Sequence, residues 1–488
     1  MANSEQPVTR GTLGLTGLTM NAMALIAPGA FLWLTFQMQS LYGAPMAGSA
    51  MWFGILFALL LCFATAISYS ELAKLYPGPG SSYLYAEQAY LSKTHAYKFA
   101  RIAKFITGWA SHLYYWVYPG VMVGVTAILA SYLMSQFFPD TFSGIYNSPL
   151  FMLLFCAVFA LGVAYIAYRG VTGTTAVNVA INIIQISALL IFSVIAIGYR
   201  VQHPQGSQGF HLSNGVAVNY QVAQTGQKDE KGNPVPVLDA SGKPTMDKDG
   251  KPVYAMVDAQ DKDGNPVPAD KDGKAVADPK LAAPFTIDYT EGAMTKDDKG
   301  NPVFNYHKDA KSVVSPWGFN FIFIQAAIAI LILVGFESVT SMGEEAKHPK
   351  RDIPRAVLLS LAIQGAVCYL IEYFAAGYML NNGYTVPMAG ASGAPIADMM
   401  VLAGTWLFGS YTAGRAFMLV QAASVFLALI GTTLSCLSTG ARVTYAMGRD
   451  EEVPSHFGML HGKHASPHRA IWTLAVISMV IGIITVTV

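Results

Sequence analysis

The sequence predicts an all-α polytopic membrane protein, and three observations carry that prediction. Of the 488 residues 53% are hydrophobic and 12% are charged, and the mean hydropathy is +0.40. A soluble domain carries about twice that share of charge. Apolar windows of about 20 residues, long enough to cross a bilayer core as a helix, recur along the chain. Two of these windows are interrupted at their middles, by Pro28-Gly29 in the first and by Gly335 in the sixth.

The windows fall near residues 13–38, 47–73, 103–137, 149–168, 174–199, 316–342, 355–380, 413–446 and 469–488. The ninth runs to Val488 with no polar tail, so the sequence is expected to be a fragment of a longer chain. The first window is too long for a cleaved leader. Lys74, Lys93, Lys98, Arg101 and Lys104 flank the second loop, and Arg169 sits in the fourth. Lys347, Lys350, Arg351 and Arg355 fill the sixth, and Arg449, Lys463 and Arg469 the eighth. Basic loops stay on the cytoplasmic side. The N-terminus is therefore expected in the cytoplasm, and the segment after the fifth helix outside it. The division expected is a first membrane half at 1–200, an extracytoplasmic insert at 201–312 and a second half at 313–488. The insert holds 13 of the 30 Lys and Arg and 16 of the 29 Asp and Glu, so it is acidic and the membrane part basic. Cys62, Cys156, Cys368 and Cys436 all lie in apolar windows and read as small buried hydrophobes.

The insert repeats a turn phrase, as in Asp229-Glu230-Lys231-Gly232-Asn233-Pro234-Val235 and Asp247-Lys248-Asp249-Gly250-Lys251-Pro252-Val253. Asp-Gly supplies the positive φ of a tight turn, and Val-rich runs flank it. Small β-hairpins, or disorder, are expected. Asp-x-Asp-Gly also resembles the start of a calcium loop, but the later bidentate Glu is missing, so no metal site is expected.

Candidate chemistry lies in the membrane. Backbone groups freed in lipid need partners, so broken helices line protein-filled or wet cavities. A matched pair, one in each half, points to a midplane binding site. Ile26, Ala27, Pro28, Gly29 and Ala30 at the first break, and Gly335, Phe336, Glu337 and Ser338 at the second, are the candidate substrate-binding residues. The bland alternative at Pro28 is a kink in a packed helix. A charge at bilayer depth costs about 3 kcal/mol or more, so Glu337 is expected to face a cavity. It would carry a coupling proton or hold a cationic group; the bland role is capping the N–H groups its own break sets free.

The third window carries Trp109, His112, Tyr114, Tyr115, Trp116 and Tyr118. These rings would cover a substrate, attract its ammonium group or simply pack. His112 is a candidate coupling residue against the blander role of a hydrogen-bonded core histidine. Thr432, Thr433 and Ser435 in the eighth window would coordinate Na⁺ with first-helix carbonyls, or bond back to their own helix. Glu372 and Arg415 are expected nearer the outer ends of their helices, snorkelling or paired. No nucleophile–base set, cofactor motif, metal cluster or nucleic-acid signature is visible, which argues against an enzyme.

Three stretches then carry a resemblance. Glu71-Leu72-Ala73-Lys74-Leu75-Tyr76-Pro77-Gly78-Pro79-Gly80-Ser81-Ser82-Tyr83-Leu84-Tyr85 is the first. Gly335-Phe336-Glu337-Ser338 with Glu344-Glu345-Ala346-Lys347-His348-Pro349 is the second. Arg442-Val443-Thr444-Tyr445-Ala446-Met447-Gly448-Arg449-Asp450 is the third. Together they resemble the amino acid–polyamine–organocation (APC) permease superfamily. The resemblance implies a LeuT-type fold of two inverted five-helix repeats, here lacking its last helices. Substrate would sit between broken helices one and six, with Trp109 and Phe336 lining or gating the site. Two departures stand out. Gln185 occupies the place of a helix-five Lys used in proton coupling, and Ser81-Ser82 replaces the usual Gly-Gly.

The expected function is secondary active transport of amino acids or related amines across the cell membrane by alternating access, with H⁺ or Na⁺ as the coupling ion. The alternatives are a permease-fold sensor or scaffold that docks a protein partner through the insert, or an inorganic-cation permease.

Overall fold

The computed structural model describes residues 11–487 apart from 27–28, 44–46, 92–96, 138–147, 204–210, 214–215, 219, 229–231, 238–243, 248–249, 263–264, 284–294, 297–301, 304–309, 315–318, 381–383, 385 and 393. Ala27 and Pro28 therefore lie outside the described residues, and so does the side chain of Ala30.

Eight helices are long and apolar enough to cross a membrane. The first window adds a ninth segment in two pieces, α1 (Leu15–Leu25) and α2 (Gly29–Gly43). There follow α3 (Ala47–Leu75), the short α4 (Ser82–Tyr90), α5 (Tyr97–Phe137), α6 (Pro149–Tyr168) and α7 (Val171–Gln202). After the insert, α8 (Phe319–Ala329) tightens into a 3₁₀ turn at Ile330–Ile332 and, past Gly335, a second 3₁₀ run at Phe336–Met342. Then α9 (Pro349–Leu361) passes through a π-helical stretch, Ala362–Leu370, into α10 (Ile371–Met379). The chain closes with α11 (Val386–Ala391), α12 (Pro395–Phe408), α13 (Tyr411–Arg449) and α14 (His468–Thr487). The short helices α4, α11 and α12 were not foreseen, since none gives a window of spanning length.

Spatial order departs from chain order. α1 packs on α7, α9, α13 and the Phe336–Met342 run, so the first break lies inside the bundle. Residues 21–26 are all buried. α5 and α13 pack along each other, with α14 against α5. At 1.5 Å per residue the 41-residue α5 is about 60 Å long, well beyond a bilayer core of about 30 Å. Arg200 near the end of α7 is fully buried, and its guanidinium donates to the carbonyls of Tyr378 (3.0 Å) and His203 (2.8 Å), tying α7 to α10.

The insert folds its repeated phrase as repeated turns. Antiparallel bridges Lys228–Pro234, Met246–Pro252, Gln260–Pro266 and Ala269–Ala275 each enclose one copy. In three copies the leading Asp is the turn's acceptor. Asp247, Asp261 and Asp270 take the backbone N–H four residues on, at 2.8, 2.8 and 2.9 Å. The turn glycines Gly232, Gly250 and Gly273 have φ of 83°, 72° and 76°, as the Asp-Gly pattern requires. Longer pairings, Gln224–Gly226 with Met256–Asp258, stack these turns into one ladder.

Candidate functional site

The site is built where two interrupted backbones touch. Gly335 has a φ of +121°, a conformation closed to side-chain-bearing residues in practice. A Cβ placed there would lie 2.8 Å from the carbonyl of Leu25 and 3.0 Å from the nitrogen of Ile26. Glycine at 335 thus meets two demands at once, an unusual turn and a backbone-to-backbone approach.

Each break is satisfied in its own way. At the first, Pro28 has no N–H to offer the Ala24 carbonyl four residues earlier. The hydroxyl of Thr432 on α13 donates to that carbonyl instead (3.0 Å). The Ile26 carbonyl accepts from the Tyr369 hydroxyl (3.0 Å), and that hydroxyl accepts from the Gln364 amide (3.0 Å). Both Gln364 and Tyr369 belong to the π-helical stretch, a local unwinding often found at functional sites. At the second break Glu337 turns back on its own chain. Its Oε2 accepts the Gly335 N–H (2.9 Å) and its Oε1 accepts the Tyr115 hydroxyl of α5 (3.2 Å). The Ser338 hydroxyl beside it is buried without a partner among the described residues, as is the Tyr114 hydroxyl. Tyr118 stacks on Tyr114 and Tyr115 meets Tyr114 edge-on, next to Leu25 of α1 and Cys436 of α13.

Comparison with known proteins points the same way. Two family models, each described as amino acid permease, match residues 11–233 and 285–487 and so reach into the insert from both sides, leaving 234–284 between them. The chain belongs to the APC superfamily. A branched-chain amino acid permease, BcaP, of Bacillus subtilis (strain 168) is 29% identical over 170 residues, 34% of this chain and 33% of that protein. BcaP of Lactococcus lactis subsp. cremoris (strain MG1363) is 27% identical over 165 residues, 34% and 32% of the two chains. The low-affinity putrescine importer PlaP of Escherichia coli (strain K12) is 29% identical over 163 residues, 32% and 31%. The chain thus matches about a third of the length of these relatives. The family is one of permeases rather than enzymes.

In this APC member the three stretches that carry the resemblance meet at one end of the bundle, the end of the basic loops. Lys104 pairs with Glu87 (2.9 Å) and Asp450 (2.7 Å), and Tyr83 donates to Asp450 (3.0 Å). Burial and the nearby acids push the Tyr83 phenol well above its usual range. Arg442 pairs with Glu345 (2.7 Å) and Arg449 with Glu344 (3.2 Å). Backbone bonds from Thr12 and Leu13 to the Glu345 carbonyl clamp the start of α1 to the same place. Ser81 adopts φ +52°, ψ −124°, a conformation that suits glycine, and its hydroxyl bonds that of Thr340 at 2.5 Å.

The other predicted residues divide. Ile26 and Phe336 are buried at the breaks. Trp109 is 37% exposed and contacts Phe105, His112 and Trp116, so it is not brought to the breaks; Tyr115 occupies the place expected of it. His112 is buried, with Nδ1 on the Gly108 carbonyl (2.8 Å) and Nε2 on the Thr444 hydroxyl (3.1 Å), the arrangement of a core histidine joining α5 to α13. Thr433 bonds back to Leu429 of its own helix (2.8 Å). Ser435 accepts from Asn178 (2.8 Å), which also donates to Asn21 (2.8 Å); Asn21 donates in turn to Thr175 (2.6 Å). Gln185 is buried, and neither amide atom has a partner among the described residues. Glu372 departs from expectation: it is fully buried rather than snorkelling, and neither oxygen has a partner among the described residues. Asn21, Asn178 and Asn182 were missed. For Asn178 and Asn182 the signal is the stripe Asn178, Asn182, Gln185 at helical spacing in the middle of a mostly apolar α7.

Proposed function

We propose that the chain is a secondary active transporter of amino acids or related amines, holding its substrate between the α1–α2 break and the break at Gly335. The observation that carries this is the backbone contact of Leu25 and Ile26 with Gly335. A bundle core has no need to abut two unwound segments unless their polar groups serve something. Glu337 supplies a negative centre whose oxygens keep spare lone pairs, suited to an ammonium group. Ser338 and Tyr114 add hydroxyls without other partners among the described residues. A LeuT-type inverted repeat accounts for the placing of α1 among α7, α9 and α13. Alternating access then means opening the ion-paired end through Lys104, Arg442 and Arg449 while the opposite end closes. That end is cytoplasmic by the distribution of Lys and Arg, and the insert is extracytoplasmic. The relatives named for branched-chain amino acids and for putrescine bracket the substrate class.

The test is uptake of radiolabelled leucine and putrescine by proteoliposomes, with wild type beside Glu337→Gln. Wild type is expected to take up one of them, and the variant to lose about tenfold or more, the effect of about 1.4 kcal/mol of lost binding to a charge. Folded wild-type protein that moves neither compound, nor any other amine-bearing solute tried, would sink the proposal.

A further inference from the structure

Glu372 lies in α10 with 0% exposure, and both carboxyl oxygens lack a hydrogen-bond partner among the described residues. Glu337, at the break, accepts two hydrogen bonds. An ionised carboxylate away from water without a donor is strongly disfavoured, and such a group takes up a proton instead. Among the described residues no cation lies at hydrogen-bond range of it. α10 packs on α7, α3, α12, the 310–313 turn and, through the Phe36–Tyr373 ring contact, α2. The titratable groups on these elements are Tyr199 and Arg200 on α7, and Cys62, Tyr69, Glu71 and Lys74 on α3. Asp398 on α12, Lys311 and, on α2, Tyr42 complete the set outside its own helix, which adds Cys368, Tyr369, Tyr373 and Tyr378. Arg200 is committed to the carbonyls of Tyr378 and His203. Glu71 pairs with Lys74, and Asp398 accepts from Tyr384 and Ser392.

We infer that Glu372 is a proton-binding site, loaded in this conformation, whose proton is the driving ion of the transport cycle. The inference rests on the permease reading given above. Its link to the breaks is short. Tyr369, one helical turn before Glu372, donates to the Ile26 carbonyl at the first break. Between α9 and α10 the π-helical stretch gives the seventh segment a place to change its winding. Movement at the first break therefore displaces α10 against α7 and opens Glu372 to water. The step is one O–H bond: a proton from water on one side joins the carboxylate, and the same bond breaks to water on the other side.

The test uses the intact protein and two readouts. With one proton per substrate, a gradient of one pH unit sustains about tenfold accumulation of a neutral zwitterion. Glu372→Gln, which mimics the loaded acid, is expected to keep leucine counterflow while gradient-driven accumulation falls to a ratio of about one. Infrared difference spectra of wild type should show a protonated carboxyl band at neutral pH that Glu372→Gln removes and Glu337→Gln leaves. Glu372→Asp is expected to retain coupling, and it stands in should the Gln variant not fold. Undiminished accumulation in folded Glu372→Gln, or a carboxyl band insensitive to it, would overturn the inference. Wild type that shows neither counterflow nor accumulation, with leucine or with putrescine, would instead overturn the permease reading, and the infrared comparison would still decide the state of Glu372.

Discussion

At the first break the freed carbonyls are held from outside: Thr432 of α13 takes Ala24, and Tyr369 of the seventh segment takes Ile26. At the second break the freed N–H of Gly335 is held from within, by Glu337 two residues on. One break is thus wired to two other helices and the other closes largely on itself. A self-contained break keeps its shape when the bundle moves, whereas an externally held one reports the positions of its neighbours. The first break is the better candidate for the moving part, and the second for the fixed floor of the site.

The largest effect expected is that of Gly335→Ala. It forces a side chain into a glycine conformation and against the backbone of Leu25, at a cost of about 3 kcal/mol or more. Thermal unfolding in detergent should show a protein that barely folds, and a near-native transition would mean the two breaks do not touch. Next come the acceptor and donor deletions. Glu337→Ala strands a buried N–H and is expected to cost about 2 kcal/mol, and Tyr369→Phe about 1 kcal/mol. If the second break is held apart from the first, Glu337→Ala couples to Tyr115→Phe and adds simply to Tyr369→Phe in double-mutant cycles. Strong coupling between Glu337 and Tyr369 would erase the distinction drawn between the breaks. The smallest effect is that of Ser81→Gly, away from both. Relief of the strained conformation and loss of the Thr340 bond oppose each other, leaving a net change under about 1 kcal/mol. A large loss there would mean that the hydroxyl pair, not the turn, holds that end of the bundle.

The eight helices of spanning length and both breaks were legible because each rests on local facts: window length, a missing N–H at Pro28 and a glycine at 335. The turns of the insert were legible for the same reason. What Glu337 does was legible only as a choice, and its bonds to Gly335 and Tyr115 match the bland alternative, capping, as well as a role at the site. Which aromatic of α5 meets it was not legible. Six aromatic or imidazole rings crowd residues 109–118, and the rotation of α5 that selects Tyr115 over Trp109 is set by packing on α13 and α14. The depth of Glu372 was misjudged from its distance to the helix end, since burial there comes from α7 and α3. The Asn21–Asn178–Ser435 chain joins residues more than 150 positions apart, and no periodicity announces such partners.

The ladder outside the bundle has a consequence for how this chain can vary. Among the described residues four turns are each closed by their own short bridge, and in three of them the Asp that shapes the turn lies between the two bridge positions. The copies are also tied to one another, since Pro236 bridges Tyr254 and Val222 bridges Pro268, so the loss of one copy leaves strand positions on its neighbours unpaired. The turns can therefore tolerate change at their tips, while the strand positions between them are bound to a shared register.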